Sequence, residues 1–209
     1  MKKVFIVGLI VLFATITKAQ INAITETGDE VVLYTDGTWK YLNDSTFEAS
    51  EIPINNKQFV KGKNSTFLIK STKLNIGIWM DPKSWSFTKG TLEDASEFEF
   101  EKKGEDLYAM LISEKIQIPI ETLKIVALQN AKRVSSDIEL VQEEYRNVNG
   151  IQVLMMQMKG TLQGMKFSYF GYYYSNSNGT IQLLAYTSEN LFDNYKQDIE
   201  LFLNGLTEL

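Results

Sequence analysis

Alternation of apolar and polar positions dominates the second half of the chain. Four segments show the two-residue period of β-strands, at residues 138–148, 151–159, 165–174 and 181–186. The residues that separate them are typical of tight turns, namely Asn149-Gly150, Gln163-Gly164 and Asn178-Gly179. The pattern therefore predicts a long antiparallel meander of four strands.

Three further strands are expected upstream of this meander. Leu74 to Met80 alternate until Asp81-Pro82 ends the strand, since proline removes a backbone donor. Phe98 and Phe100 then alternate with glutamates, and Lys103-Gly104 turns the chain into the apolar run Leu107 to Ile112. The segment that contains Phe98 and Phe100 and the run Leu107 to Ile112 therefore predict an antiparallel hairpin.

Two segments have a helical period instead. After Pro119 the apolar positions share one helical face, and after Ser188 a wider stripe does so. The first face comprises Leu123, Val126, Ala127, Ala131 and Val134, and the second comprises Leu191, Phe192, Tyr195, Ile199, Phe202, Leu203 and Leu206. Ser188 is expected to cap the second helix, and Gly205 stands where its C-terminal cap is expected.

The N-terminal part divides into shorter pieces. Residues 20–43 predict a small β-meander, in which Asp36-Gly37 is a hairpin turn that leads to Trp39 and Tyr41. Residues 44–65 are polar and without a period, which predicts a linker, although their scattered apolar side chains are compatible with a segment lying along the main domain. Residues 66–209 form that main domain.

Several strands of this domain are apolar on both faces, as Val153 and Leu154 or Leu183 and Leu184 illustrate. Strands of this kind have both faces covered. The expected fold class is therefore α+β, an antiparallel β-sheet flanked by helices, with the small β-meander added at its N-terminus.

Composition excludes much chemistry. The 209 residues contain no Cys and no His, so disulfides, thiol nucleophiles, imidazole bases and the common zinc ligands are absent. We expect no catalytic residues, no cofactor and no metal site of these kinds. Asp and Glu pairs remain available for acid-base chemistry.

Residues 1–19 are typical of a secretory signal peptide. Lys2 and Lys3 precede the apolar run Val4 to Ile16, and Thr17-Lys18-Ala19 offers small residues at a cleavage site. The run is about 20 Å long as a helix, short of the roughly 30 Å of a bilayer core. We expect an exported protein, periplasmic or extracellular in a bacterium, without a stable membrane span after cleavage. Retention of the segment as an N-terminal anchor is the alternative.

Charge argues against nucleic acid as a partner. Residues 1–19 hold three Lys and no acid, so their removal leaves 18 basic residues of 21 against 26 acidic residues, and the formal charge changes from −5 to −8. Binding to phosphates is driven by Lys and Arg. The expected partner is instead an envelope protein or an apolar small ligand.

The order of these elements resembles the PsbP-like superfamily, which includes exported bacterial proteins of unknown function. The resemblance covers about residues 66–208 and rests on the strand that ends at Asp81-Pro82 with Trp85 after it, on Asn149-Gly150, and on the final strand and helix, Ile181 to Leu206. It implies a sheet-and-helix sandwich that acts as a binding or assembly module. A second resemblance joins the Asp36 to Trp39 segment to an Asp-Gly-Thr-Trp segment of other exported proteins.

The candidate binding residues are aromatic. Alternation along residues 167–174 puts Phe167, Tyr169 and Tyr173 on one face and Phe170, Tyr172 and Tyr174 on the other. Tyr169, Tyr172 and Tyr174 are the candidates for a partner surface, because tyrosine is favoured there; the alternative is that these rings form a core beneath the helices. Trp39 and Tyr41 are a second candidate edge, or they attach the meander to the main domain.

Two functions follow from these residues. The first is an exported, non-catalytic binding or assembly module. The alternative is a hydrolase acting on envelope or extracellular glycan, in which Glu97, Glu99 and Glu101 share one face of a strand at about 6.5–7 Å spacing. A row of Glu alternating with Phe is also what a half-solvated strand shows.

Overall fold

The computed structural model describes residues 20–25, 30–35, 38–41, 52–91 and 95–209. These residues fall into two compact units, with the boundary between residues 47 and 48. The predicted signal peptide at residues 1–19 and the predicted turn Asp36-Gly37 lie outside the described residues. No helix among the described residues is long and apolar enough to cross a membrane.

In its described residues, the first unit contains three strands that form an antiparallel sheet. They are β1 (Gln20–Ile24), β2 (Glu30–Tyr34) and β3 (Trp39–Tyr41), in that order. Val31 and Val32 of the central strand are buried. The three strands lie where the sequence predicts a small meander.

In its described residues, the second unit contains eleven strands and two helices. The strands before the first helix are β4 (Ile54–Phe59), β5 (Phe67–Lys70), β6 (Ile76–Met80), β7 (Trp85–Lys89), β8 (Phe98–Lys102) and β9 (Tyr108–Glu114). After helix α1 (Ile120–Val134) come β10 (Glu139–Val148), β11 (Ile151–Leu162), β12 (Met165–Asn176) and β13 (Gly179–Ser188), then helix α2 (Glu189–Leu203) and β14 (Leu206–Glu208). The predicted four-strand meander and both helices are confirmed.

Eight strands form the main sheet, in the order β4-β10-β11-β12-β13-β9-β8-β7. Residues 54–59 were expected within a linker, but they form the edge strand β4. This strand pairs with β10 in parallel, so the sheet is mixed rather than fully antiparallel. Two apolar residues, Ile54 and Phe59, are too few to show a strand period. The strand forms because β10 supplies hydrogen-bond partners for its backbone.

The larger core lies between the main sheet and a combined layer of α2 and a second sheet. This small sheet has the order β14-β6-β5. The fold is thus richer in strand than a sheet flanked by helices alone. The core comprises, among others, Ile76, Ile78 and Met80 of the small sheet, Phe98, Phe100, Phe170 and Tyr172 of the main sheet, and Phe192, Ile199, Phe202 and Leu203 of α2.

Trp85 is one of these core residues. Its ring stacks on Phe202 with 4.2 Å between ring centroids, and the side chain is 5% exposed. The residue therefore packs in the core directly after the Asp81-Pro82 turn.

The other face of the main sheet packs against α1. Leu123 and Ala127 of the helix contact Leu154 and Met156 of β11 and Tyr173 of β12. Val134 was expected on the same face, but it is 60% exposed because the helix ends there. The two-sided burial that the sequence predicts for β11 is confirmed, since Val153 and Met155 belong to the larger core.

Candidate functional site

The aromatic strand β12 divides its rings between the two faces. Phe170 and Tyr172 enter the core beneath α2, and Tyr173 enters the core beneath α1. All three are at most 1% exposed. The alternation predicted from the sequence is confirmed, but it buries three of the six rings in the core.

Tyr172 is a structural residue and not a surface one. Its hydroxyl donates to Asn204 Oδ1 at 2.7 Å and accepts a hydrogen bond from Arg146 at 3.2 Å. Burial raises the pKa of Tyr172 to about 12. The expectation that Tyr172 contacts a partner is corrected, because α2 covers the residue completely.

Arg146 is the centre of this buried polar network, and the sequence analysis missed it. Its Nε donates to Glu144 at 2.6 Å, and one terminal nitrogen donates to Glu200 of α2 at 3.2 Å. Its guanidinium also lies 4.4 Å from the ring centroid of Phe59. Only two arginines occur in the chain. A lone Arg among the apolar and acidic positions of a strand is the sequence signal from which this site could have been predicted.

Tyr174 lies at the rim of the same face and is half-buried. Its hydroxyl donates to Glu208 of β14 at 2.6 Å, and Asn176 donates to both Tyr174 and Glu208. Burial, followed by the bond to Glu208, raises the pKa of Tyr174. The residue therefore holds the last strand of the chain in place.

Tyr169 lies on the α1 face, where a row of aromatic rings crosses three strands. Its ring centroid is 6.0 Å from that of Tyr186 on β13, which is 5.7 Å from that of Tyr108 on β9. Phe167 continues the row at 6.5 Å from Tyr169. We call Tyr108, Tyr169, Tyr186 and Phe167 the tyrosine row. Strand register pairs Tyr169 with Tyr186 and Tyr186 with Tyr108, and the sequence alone does not give this register.

The tyrosine row is only half covered. On β13 the side chains that face the larger core, such as Leu183, are buried, whereas Leu184 and Tyr186 on the α1 face are half-buried. The same alternation runs along β9. Helix α1 packs on Leu154, Met156 and Tyr173, which are buried, whereas Leu184 at the border of this cluster is only partly buried. The half of this face that belongs to β13 and β9 is therefore a partly accessible aromatic surface.

Electrostatics mark the same surface as acidic. Burial raises the pKa of Tyr186, and the negative charge of Glu99 adds to the effect. Glu99 and Glu101 of β8 are exposed and flank the row, since Glu101 is paired with Tyr108. The row thus joins aromatic rings to carboxylates.

Trp39 and Tyr41 lie on β3 of the first unit. Trp39 is 52% exposed. The backbone of Tyr41 pairs with Val31, while its side chain lies outside the described part of the chain. The idea that these residues contact a partner, or attach the meander, stays a prediction.

The three glutamates of the hydrolase alternative do not form a row. Glu97 precedes β8 and is 4% exposed. It accepts hydrogen bonds from the hydroxyls of Ser71, Thr72 and Ser113 and from the backbone of Thr72. Because both of its oxygens are occupied, Glu97 holds the loop 71–74 against the sheet. Among the described residues there is also no cluster of three or more acidic side chains arranged for a metal ion.

Glu97→Gln should lower stability in a pH-dependent way. Burial alone would raise the pKa of Glu97, but the bonds from Ser113, Ser71 and Thr72 outweigh it and hold the pKa below 4.5. A lowered pKa stabilises the fold above the unfolded-state value, and this contribution is lost as the pH falls through the folded-state value. The deficit of Glu97→Gln, about 1–3 kcal/mol at pH 7, should therefore shrink below pH 4.5.

Urea unfolding at pH 7 and pH 3 measures this difference. Glu99→Gln, at an exposed position on the next strand, is the matched control and should change stability little at either pH. An equal deficit for Glu97→Gln at both pH values would show that the carboxylate charge is not what the hydroxyls stabilise.

Depressions in the second unit are shallow. One of about 280 Å³ lies beside β7 and is lined by Phe67, Met80, Pro82, Trp85, Ser86 and Phe87. Another of about 320 Å³ lies at the start of α2, beside Met165 and Lys166. Neither of these two depressions is lined by residues of the tyrosine row.

Comparison with known proteins was informative only for the fold. No family model and no curated protein matches the sequence. Among solved structures, the cyanobacterial PsbP (CyanoP) of Synechocystis sp. PCC 6803 is similar with a TM-score of 0.54 at 16% identity, covering 71% of this chain and 95% of that chain.

Two weaker similarities were also found. One is to PA94 of Pseudomonas aeruginosa, described as a protein of unknown function and putative regulator, with a TM-score of 0.45 at 9% identity over 68% of this chain and 96% of that chain. The other is to LpqN, involved in cell envelope biogenesis of Mycobacterium tuberculosis, with a TM-score of 0.45 at 9% identity over 68% and 88%. The order of strands and helices and the similarity to cyanobacterial PsbP together show that this chain has a PsbP-like fold.

Proposed function

We propose that this chain is an exported, non-catalytic binding module whose contact surface is the tyrosine row. The observation that carries the proposal is the half-covered α1 face, where Tyr108, Tyr169 and Tyr186 are half-buried while the equivalent positions under α1 are fully buried. Tyrosine supplies a large apolar area together with a hydroxyl, which suits a surface that is wet when free and buried when bound.

The composition of the row favours a protein partner over a small apolar ligand. Small ligands bind in concave sites that bury most of their surface, and neither of the two depressions described above is lined by the row. In a protein interface, in contrast, a few aromatic side chains supply most of the binding energy. The pattern of residues 1–19 supports export, with the partner in the periplasm or outside the cell.

Absence of catalysis belongs to the same proposal. With no His or Cys in the chain, carboxylates would have to act, and the one buried carboxylate near the proposed glycan site, Glu97, is occupied by hydroxyl donors. Glu99 and Glu101 are exposed, and neither lines one of the two depressions described above. Their placement supports a role in charge complementarity.

Photo-crosslinking tests the surface. A benzoylphenylalanine at Tyr186 should yield a discrete adduct with an envelope protein in the native host, whereas the same probe at Val141, which is 44% exposed on β10, should not. Adding Tyr108→Ser to the Tyr186 probe variant should lower the adduct yield about tenfold, the effect of removing one contact of about 1.4 kcal/mol.

The outcome against the proposal is equally clear. Equal adducts from the Tyr186 and Val141 probes, or an adduct that Tyr108→Ser leaves unchanged, would show that the tyrosine row is not the contact surface. Circular dichroism of each variant verifies that the fold is retained.

A further inference from the structure

A second surface lies on strand β7, which forms one edge of the main sheet. This strand ends the sheet order, and in the described part of the chain no strand pairs with its outer side. Phe87 at its centre is 39% exposed, and Lys89 at its end is exposed as well. The outer side of β7 is therefore available to another strand.

The backbone of β7 presents a defined set of unpaired groups. Lys103 N–H donates to Ser84 O at 2.9 Å, and Gly90 N–H donates to Glu97 O at 3.0 Å, so the even-numbered residues of β7 are the ones bonded to β8. In an antiparallel pair the intervening residues point their N–H and C=O groups away from the partner. Those of Phe87 and Lys89 therefore point outward, whereas the N–H of Trp85 is already bonded to Asp81 O.

An apolar depression lies directly beside these groups. It is lined by residues of three neighbouring segments, Phe67 on β5, Met80 and Pro82 at the end of β6, and Trp85 and Phe87 on β7. The rings of Phe67 and Phe87 are 5.9 Å apart, and Phe67 is 44% exposed. A strand added to β7 would place alternate side chains over this depression.

Charge at the two ends of β7 is positive. Lys83 and Lys89 are both exposed, and neither forms an ion pair within the described ranges. The nearest carboxylate on this segment, Asp81, accepts hydrogen bonds from the Lys83 backbone and from Ser84, which lower its pKa. A second copy of β7 would bring the lysines of both copies together, which like-charge repulsion disfavours.

We propose that β7 binds an extended peptide segment of a partner as an added antiparallel strand, with apolar side chains over the depression and acidic side chains near Lys83 and Lys89. Main-chain hydrogen bonds to Phe87 and Lys89 supply the affinity, and the side-chain pattern supplies the specificity, as in other cases of strand addition. This surface is separate from the tyrosine row and does not depend on it.

A designed peptide tests this proposal on the intact chain. The probe is acetyl-Glu-Thr-Leu-Thr-Leu-Thr-Glu-amide, whose first leucine lies opposite Phe87, whose second leucine lies opposite Trp85, and whose glutamates lie near Lys89 and Lys83. N-methylation of the first leucine removes the donor to Phe87 O. The reversed-charge peptide carries lysine at both ends. Calorimetric titration should show binding of the probe, weakened at least about tenfold by either change, the equivalent of one hydrogen bond of about 1.4 kcal/mol.

Charge exchange provides the decisive comparison. The double variant Lys83→Glu and Lys89→Glu, at two exposed positions, should lose the glutamate peptide and gain the lysine peptide. Failure of the intact chain to bind the probe, equal binding of the N-methylated peptide, or an unchanged preference in the double variant would each overturn the proposal. So would a dimer, detected by sedimentation, that the probe dissociates, because β7 would then belong to a second copy.

Discussion

Arg146→Ala is expected to lower the free energy of unfolding by about 3–5 kcal/mol, the range measured when one partner of a buried ion pair is removed. Arg146 is 6% exposed and contacts Glu144 of its own strand and Glu200 of α2. Its removal leaves the hydroxyl of Tyr172 with one hydrogen-bond partner instead of two. It also removes the cation that lies 4.4 Å from the ring of Phe59 on the edge strand β4.

Urea unfolding at pH 7, followed by circular dichroism, measures the effect of Arg146→Ala. Arg133→Ala is the matched control, since Arg133 is exposed at the end of α1, and its cost should be within about 0.5 kcal/mol. Arg146→Lys should recover only part of the loss, because a single ammonium cannot replace a planar group with several donors. A cost below about 1 kcal/mol for Arg146→Ala would show that the network is not a stabilising centre.

Gly205→Ala is expected to be the second strongly destabilising change, by about 3 kcal/mol, the upper end of the usual range for overpacking. A Cβ atom at residue 205 would lie 1.9 Å from the backbone oxygen of Trp79. Trp79 N–H donates to Gly205 O at 2.8 Å, so the two backbones lie directly beside each other at this point. Space can be made only by moving β14 away from β6, which breaks their pairing.

Gly62→Ala is the control for Gly205→Ala. At residue 62 the nearest side-chain atom would be 3.3 Å from the new Cβ, and no backbone atom is that close. Its effect should remain within about 1 kcal/mol, since Gly to Ala changes at compatible positions are mild. Thermal unfolding of both variants provides the comparison. Equal midpoints would contradict the close approach of the Trp79 backbone to Gly205.

These two residues also show where prediction from the sequence stopped. Gly205 directly follows the C-cap residue Asn204, where a terminating glycine is expected. It does not have the positive φ of such a glycine, and the close approach of the Trp79 backbone oxygen is what requires it. Ser188 is the N-cap residue as expected, but it forms no side-chain capping bond. Local periodicity therefore gives both positions, whereas the requirement for glycine at residue 205 comes from a residue distant in sequence.

The tyrosine row shows the same distinction between a local pattern and a tertiary contact. The alternation of rings along β12 was predictable, because a strand sends successive side chains to opposite faces. Which rings remain accessible was not, since it depends on α1 packing over β11 and β12 and covering β13 and β9 only in part. Tyr108 and Tyr186 join Tyr169 only through strand register, so two of the four members of the tyrosine row had no local signal.

What the sequence by itself determined about this protein is the type of its elements and the chemistry that it lacks. Period, turn residues and helix stripes depend on neighbours along the chain, and they placed the meander, both helices and the two-sided core correctly. Tertiary structure alone decided the parallel strand β4, the small sheet closed by β14, the burial of Tyr172 around Arg146, and the outer side of β7 that no described strand covers. These features depend on which segments meet in space, and hydrogen bonds or ion pairs between residues 26 or more positions apart leave little trace in a local pattern.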